Sequence, residues 1–256
     1  MVDYEDIRRF VLIREKEGVP MRKRLSLLLV LFLGGIVIMT GCRENKNSRQ
    51  WIENKVSAVS RVYPTEDLFD LFKEFPEGFE IRSRIRYDRT SRASYSQEIE
   101  LIGAASTKTI TGTVKNVKSE ADPYRETILL ESNVTYTEAG LTFSNPDVSA
   151  KDMKLNGFLF QKWTLDKETL SQLQLSEKSY DRDTGDASIE YIVQNKTVNA
   201  YFNINKSSEV KMHIGARSAT LLGKYYSYAF TFHSGDLYYS EAVVSTENGG
   251  GRYGKQ

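Results

Sequence analysis

Phe79-Glu80-Ile81-Arg82-Ser83-Arg84-Ile85-Arg86-Tyr87-Asp88 alternates in character along its whole length. Phe79, Ile81, Ile85 and Tyr87 fall on one side of an extended chain, and Glu80, Arg82, Arg84, Arg86 and Asp88 fall on the other. Successive strand side chains point to opposite faces, so this period of two specifies a half-buried β-strand with a charged outer face. Downstream, Tyr95–Ile102, Thr107–Val117 and Glu126–Thr137 continue in the same style between turn-rich segments, which predicts an antiparallel meander.

The pattern lapses around Asn145-Pro146-Asp147. Phe158, Phe160 and Trp163 then lead into a short helix expected near Asp166 to Leu175, with Leu170 and Leu173 inward. A second strand group follows: Ala187–Gln194, Thr197–Asn205, Glu209–Gly215, Lys224–Phe232 and Leu237–Val244, all rich in tyrosine, valine and isoleucine. Ser234-Gly235 forms the hairpin turn between the last two. Whether the two groups make one sheet or two is open at this point.

Upstream of Phe79 the period is helical. Trp51, Ile52, Val56, Val59, Val62 and Tyr63 recur at helical spacing until Pro64. A second short helix is expected with Thr65 as its cap, Glu66 and Asp67 at its positive end, and Leu68, Leu71, Phe72 and Phe75 on one apolar face. Helices followed by antiparallel strands, without strict alternation, place the chain in the α+β class, with an antiparallel sheet or sheets and N-terminal helices packed on one face.

The front of the chain has another logic. Met21-Arg22-Lys23-Arg24 precedes Leu25–Met39, a run of 15 residues whose one polar member is Ser26, and Thr40-Gly41-Cys42 follows. A basic start, a short apolar run and small residues before an abrupt polar change are the layout of a signal peptide. The run is shorter than the roughly 20 residues a membrane-crossing helix needs. Met39-Thr40-Gly41-Cys42 resembles the lipobox of bacterial lipoproteins, in which small residues admit the peptide to a signal peptidase and the cysteine thiol carries diacylglycerol. Cys42 is the chain's 1 cysteine, so it has no intramolecular disulfide partner. Two acyl chains on its sulfur are enough for stable anchoring.

The expected organisation is therefore an extension over 1–20, a signal peptide over 21–41, a polar tether over 42–50, a folded domain over 51–245 and a Gly-rich disordered tail over 246–256. Either Met1 or Met21 is the initiator.

The residues also resemble a family, the tandem-type lipoproteins of staphylococci and related bacteria. The resemblance rests on the lipobox at Cys42, the polar tether, the helix ending in Tyr63-Pro64-Thr65 before Glu66-Asp67-Leu68, and the run Leu221-Leu222-Gly223-Lys224-Tyr225-Tyr226-Ser227-Tyr228-Ala229-Phe230-Thr231-Phe232 before Leu237-Tyr238-Tyr239-Ser240. Where that family has a Gly-Thr-Trp turn before its first strand, this chain has Pro76-Glu77-Gly78-Phe79. The resemblance implies an α+β domain lipid-anchored on the extracellular face of the cell membrane. It also implies host or envelope contacts and no assigned catalytic residues.

Candidate chemistry is sparse. Lysine and arginine total 35 against 34 acidic residues, a balance that gives no field for gathering nucleic acid. The 2 histidines have bland placements: His213 lies on the polar side of Val210, Met212 and Ile214, and His233 adjoins the Ser234-Gly235 turn. His233-Ser234-Gly235-Asp236 contains triad residue types, but consecutive turn residues do not place a base against a nucleophile. Asp181, Asp183 and Asp186 lack the glycine and glutamate of a calcium loop. No cofactor, metal or enzymatic activity is expected. The candidate binding surface is the basic face of Arg82, Arg84 and Arg86, extended by Arg89 and Arg92, which suits an anionic polymer or small molecule; Glu98 and Glu100 on the next strand are expected to neutralise part of it.

Overall fold

A computed structural model describes residues 45–90, 92–155, 157–205, 209–216 and 227–246. The expected signal peptide, Met39, Thr40, Gly41, Cys42, the Leu221–Tyr226 part of the aromatic run and the tail beyond Thr246 lie outside these residues. No helix among the described residues is long and apolar enough to cross a membrane.

The alternation of Phe79–Asp88 becomes β1, Phe79–Arg89, whose Phe79, Ile81, Ser83 and Ile85 are buried. The strands that follow are β2 (Ala93–Ala104), β3 (Thr109–Ala121), β4 (Tyr124–Thr137) and β5 (Gly140–Phe143). The second group is β6 (Gln174–Tyr180), β7 (Ala187–Val193), β8 (Val210–Ala216), β9 (Ser227–Ser234) and β10 (Leu237–Ser245). All belong to one 10-stranded sheet in the order β5-β4-β3-β2-β1-β10-β9-β8-β7-β6. Every neighbouring pair is antiparallel. Two five-strand meanders thus meet at its centre, where Phe79 faces Ser245 and Arg86 faces Tyr238. The described residues are mostly antiparallel sheet, with few and short helices.

Those helices are α1 (Arg49–Val56), α2 (Leu71–Glu74), α3 (Lys167–Gln172) and α4 (Lys196–Phe202), with short 3-10 turns at Ser57–Val62, Leu68–Asp70, Ala150–Asp152 and Leu159–Gln161. Ile52, Val56, Val59, Val62, Leu68, Leu71 and Phe75 share one apolar cluster with the inward residues of the strands, and Leu155, Phe158, Phe160, Trp163 and Leu170 join it. Removing this area from water drives the assembly, at roughly 25 cal/mol per Å² of apolar surface.

Three expectations are corrected. Thr197–Asn205 is not a strand. Asn195 is extended and its side chain accepts from Thr197 N and Val198 N, Val198 and Phe202 are buried four residues apart, and Asn203 closes α4 in the left-handed region at φ 51. Capping and helical burial spacing override the β-prone composition of this stretch. Thr65 is not the cap of the second helical segment; its hydroxyl donates back to Val62 O, while Asp67 accepts from Phe69 N at 3.0 Å. The helix expected through Leu175 ends at Gln172, because from Gln174 the chain pairs with β7 as edge strand β6.

Candidate functional site

Cys42 lies outside the described residues, which begin at Asn45. Ser48 caps α1 by accepting from Trp51 N. Arg49 then fixes the chain to the end of α3: its guanidinium donates to Leu170 O at 3.2 Å, Ser171 O at 2.9 Å and Leu173 O at 3.0 Å. These carbonyls lie at and just beyond the helix's negative end, which a rigid cationic fork satisfies. The same guanidinium donates to Glu53 at 2.7 Å, and the buried Glu53 also accepts from the Tyr191 hydroxyl at 3.1 Å. Lys178 donates to Asn47 O. The folded part therefore holds the chain from Asn47 onward, and the last residues of the expected 42–50 tether, Arg49 and Gln50, belong to α1.

The arginines of β1 do share its outer face, but little of their charge is unengaged. Arg84 pairs with Glu98 across the strand at 3.2 Å. Arg82 stands opposite Glu100 in register yet pairs with Glu80 on its own strand at 2.5 Å. Arg86 stacks its guanidinium over the Tyr238 ring at 5.5 Å and donates to Asp236 O at 3.4 Å. Arg89 and Arg92 are exposed at the β1–β2 turn, where no ion pair among the described residues engages them. The five side chains do not converge on one site; Arg82, Arg84 and Arg86 are engaged along the β1 face, while Arg89 ends β1 and Arg92 lies in the turn after it.

The most unusual chemistry is one the sequence reading missed. Glu241 on β10 is 1% exposed, and four donors converge on its carboxylate. Leu159 N donates at 2.9 Å, Phe160 N at 3.2 Å and the Tyr63 hydroxyl at 3.3 Å, and the Tyr239 hydroxyl also donates to it. Tyr239 accepts from Ser83 at 3.3 Å and lies 3.3 Å from the Tyr201 hydroxyl, which donates to Gly157 O at 2.9 Å. Burial pushes Glu241 up to about 7 from its ordinary 4.5, against the pull of its hydrogen bonds. Burial first, and then the Glu241 charge, push Tyr63, Tyr239 and Tyr201 well above the usual phenol range. The cluster holds the 157–160 segment against the sheet. Its carboxylate is closed to solvent and all its partners are structural, so it reads as a clamp rather than an acid–base centre.

One signal for Glu241 was present. Tyr239, Glu241 and Val243 share the inward phase of β10, and a charged residue on that phase demands partners.

The clamped segment also walls a cleft of about 560 Å³. Ile99, Leu141, Phe143, Met153, Leu155 and Phe158 contribute apolar surface, while Glu66, Glu138 and Lys162 bring charges that no ion pair among the described residues engages.

The remaining candidates are strand and turn residues. His233 faces Tyr238 across the β9–β10 hairpin, closed by Gly235 at φ 57. His213 lies opposite Glu190 and Thr231 within the sheet. Asp181 accepts from Asp183 N at 2.8 Å and Thr184 N at 3.2 Å, so its carboxylate shapes the β6–β7 turn. Among the described residues no group of His, Cys, Asp and Glu is arranged to hold a metal ion.

No protein-family model and no curated protein matches the chain.

Proposed function

We propose that this chain is a bacterial surface lipoprotein of the tandem type, non-enzymatic, held to the outer face of the cell membrane by diacylglycerol on Cys42 and presenting its domain to host or envelope partners. The observation that carries the reading is the position of the lone cysteine. Cys42 follows a basic, apolar, small-residue sequence and precedes, by a few residues, the point at which Asn47 and Arg49 are fixed to the folded domain. A cysteine between a cleavable leader and a domain is where a lipid anchor serves. The α+β class, with the N-terminal helices on the inner face of the sheet, belongs to the same reading. Mass spectrometry of the membrane-extracted protein tests it: the mature chain should begin at Cys42 and carry the added mass of a diacylglyceryl group. An unmodified Cys42 in the mature chain contradicts it.

A second reading, a lipoprotein that holds a small molecule, is favoured by the cleft beside β5. Its volume of about 560 Å³ lies within the usual range for ligand pockets, and it pairs apolar surface with unengaged charges of both signs. It suits a small zwitterion with an apolar body better than the anionic polymer suggested by the arginine face. Titration calorimetry with amphipathic zwitterions and with a phosphate polymer separates the two ligand classes. Heat with neither removes the second reading.

A further inference from the structure

Where α1 meets the edge strand β6, two aromatic rings are framed by lysines. The Lys46 ammonium lies over the Tyr180 ring at 5.8 Å, Tyr180 and Trp51 meet edge-on at 5.0 Å, and the Lys55 ammonium lies over Trp51 at 5.1 Å. Lys178 joins them by donating to Asn47 O. Both rings are half-buried, and no ion pair among the described residues engages any of the three lysines.

The fold keeps most acid away from this face. Glu53, the acidic residue of α1, is buried on Arg49 and Tyr191. Lys178 and Tyr180 stand opposite Ile189 and Ala187, on the inward phase of the sheet, whereas Glu177 takes the other face opposite Glu190. In the β6–β7 turn, Asp181 directs its carboxylate at Asp183 N and Thr184 N, and in formal charge Arg182 offsets one of Asp183 and Asp186.

We propose that this face, Lys46, Trp51, Lys55, Lys178 and Tyr180, lies against the anionic headgroups of the membrane that holds the chain. The inference rests on the lipid anchor proposed above, which puts the acyl chains on Cys42, four residues before Lys46 in the sequence. Tryptophan and tyrosine settle at the boundary of water and lipid because one part of each ring system is apolar and another is polar. Lysines beside them carry long apolar stems under a charge that anionic headgroups attract. The anchor brings the surface close, and this face then fixes which side of the domain turns to the membrane and which side is left for partners.

The test is fluorescence of the full chain, its Cys42 lipid verified by mass, in phosphatidylcholine vesicles with and without phosphatidylglycerol. Lipids brominated near the headgroup end of the acyl chain quench indole on contact. The chain has 2 tryptophans, and the other, Trp163, is 7% exposed. Bromolipid should quench the wild type when phosphatidylglycerol is present, and Trp51→Phe should lose that quenching. Lys46→Gln with Lys55→Gln should shift the docked–undocked equilibrium about 25-fold toward undocked, about five-fold per lysine, and both positions are exposed, so the fold is kept. Salt at roughly 0.5 M should act in the same direction. A lipidated chain whose Trp51 is not quenched, or quenching that is equal without phosphatidylglycerol or in the lysine variant, overturns this surface and leaves the anchor standing. A chain with no lipid on Cys42 overturns the anchor, and this surface with it.

Discussion

Glu241 is a carboxyl that four donors face and that no ion pair among the described residues balances. Its folded-state pKa is raised to about 7 from 4.5, so between those values the native chain holds a proton that the unfolded chain releases. This contribution is fully present below about pH 4.5 and is lost as pH rises through 7. The hydroxyls can accommodate the proton by turning: Tyr239 donates to the charged Glu241, and once Glu241 is protonated it donates to Tyr239, which turns its hydroxyl to Tyr201 while Tyr201 keeps its bond to Gly157 O. Chemical denaturation across pH 5 to 7.5 should therefore show a stabilising effect of acid of up to about 1.4 kcal/mol per pH unit, absent in Glu241→Gln. Equal slopes in the two proteins would contradict it. Arg49 gives a second expectation at this scale. Arg49→Ala strands the buried Glu53 and three helix-end carbonyls, and should cost about 2–3 kcal/mol, the low side for a buried pair because the Arg49 side chain is 34% exposed. A loss below about 0.5 kcal/mol in equilibrium unfolding would show that the fork is not structural. The inward phase of Glu241 was legible from the alternation of β10. Its partners were not, because Leu159 and Phe160 arrive from 81 and more residues away and the sequence gives no register for that segment.

At the scale of elements, strands were readable wherever one face is buried and the other wet. The phase of β1 from Phe79 to Ile85 follows directly from its alternation, whereas Tyr124–Leu129 of β4 is exposed on both faces and a bulge at Leu129 breaks its period. α4 was unreadable for the converse reason: valine, tyrosine and phenylalanine suit a half-buried strand, and only the Asn195 cap and the Asn203 turn mark a helix. The error had a consequence, since only as a helix does this segment set both Tyr201 and Phe202 against Tyr239. Asn195→Ala removes the cap and should lower stability by about 1 kcal/mol; an unchanged thermal midpoint would show that tertiary packing alone holds α4. Close strand approach leaves its own mark at Gly112, where a Cβ would lie 1.8 Å from Glu100 O on β2. Gly112→Ala should destabilise by about 1–3 kcal/mol, and a neutral effect would mean that the β2–β3 spacing relaxes freely.

At the scale of the whole molecule, the pairing of β1 with β10 answers what the sequence left open, because it joins first and last strands and makes two meanders one sheet. That pairing spans the full length of the domain, and no local pattern encodes it. The proposed anchor is the reverse case, resting on the sequence alone, on Cys42 and its neighbours. The measurement that tests the account most directly is radioactive palmitate labelling of cells expressing this chain and its Cys42→Ala form, followed by membrane fractionation. The account predicts label and membrane retention in the wild type and no label in Cys42→Ala. No label in either chain, or equal label in both, would contradict a lipid anchor at Cys42.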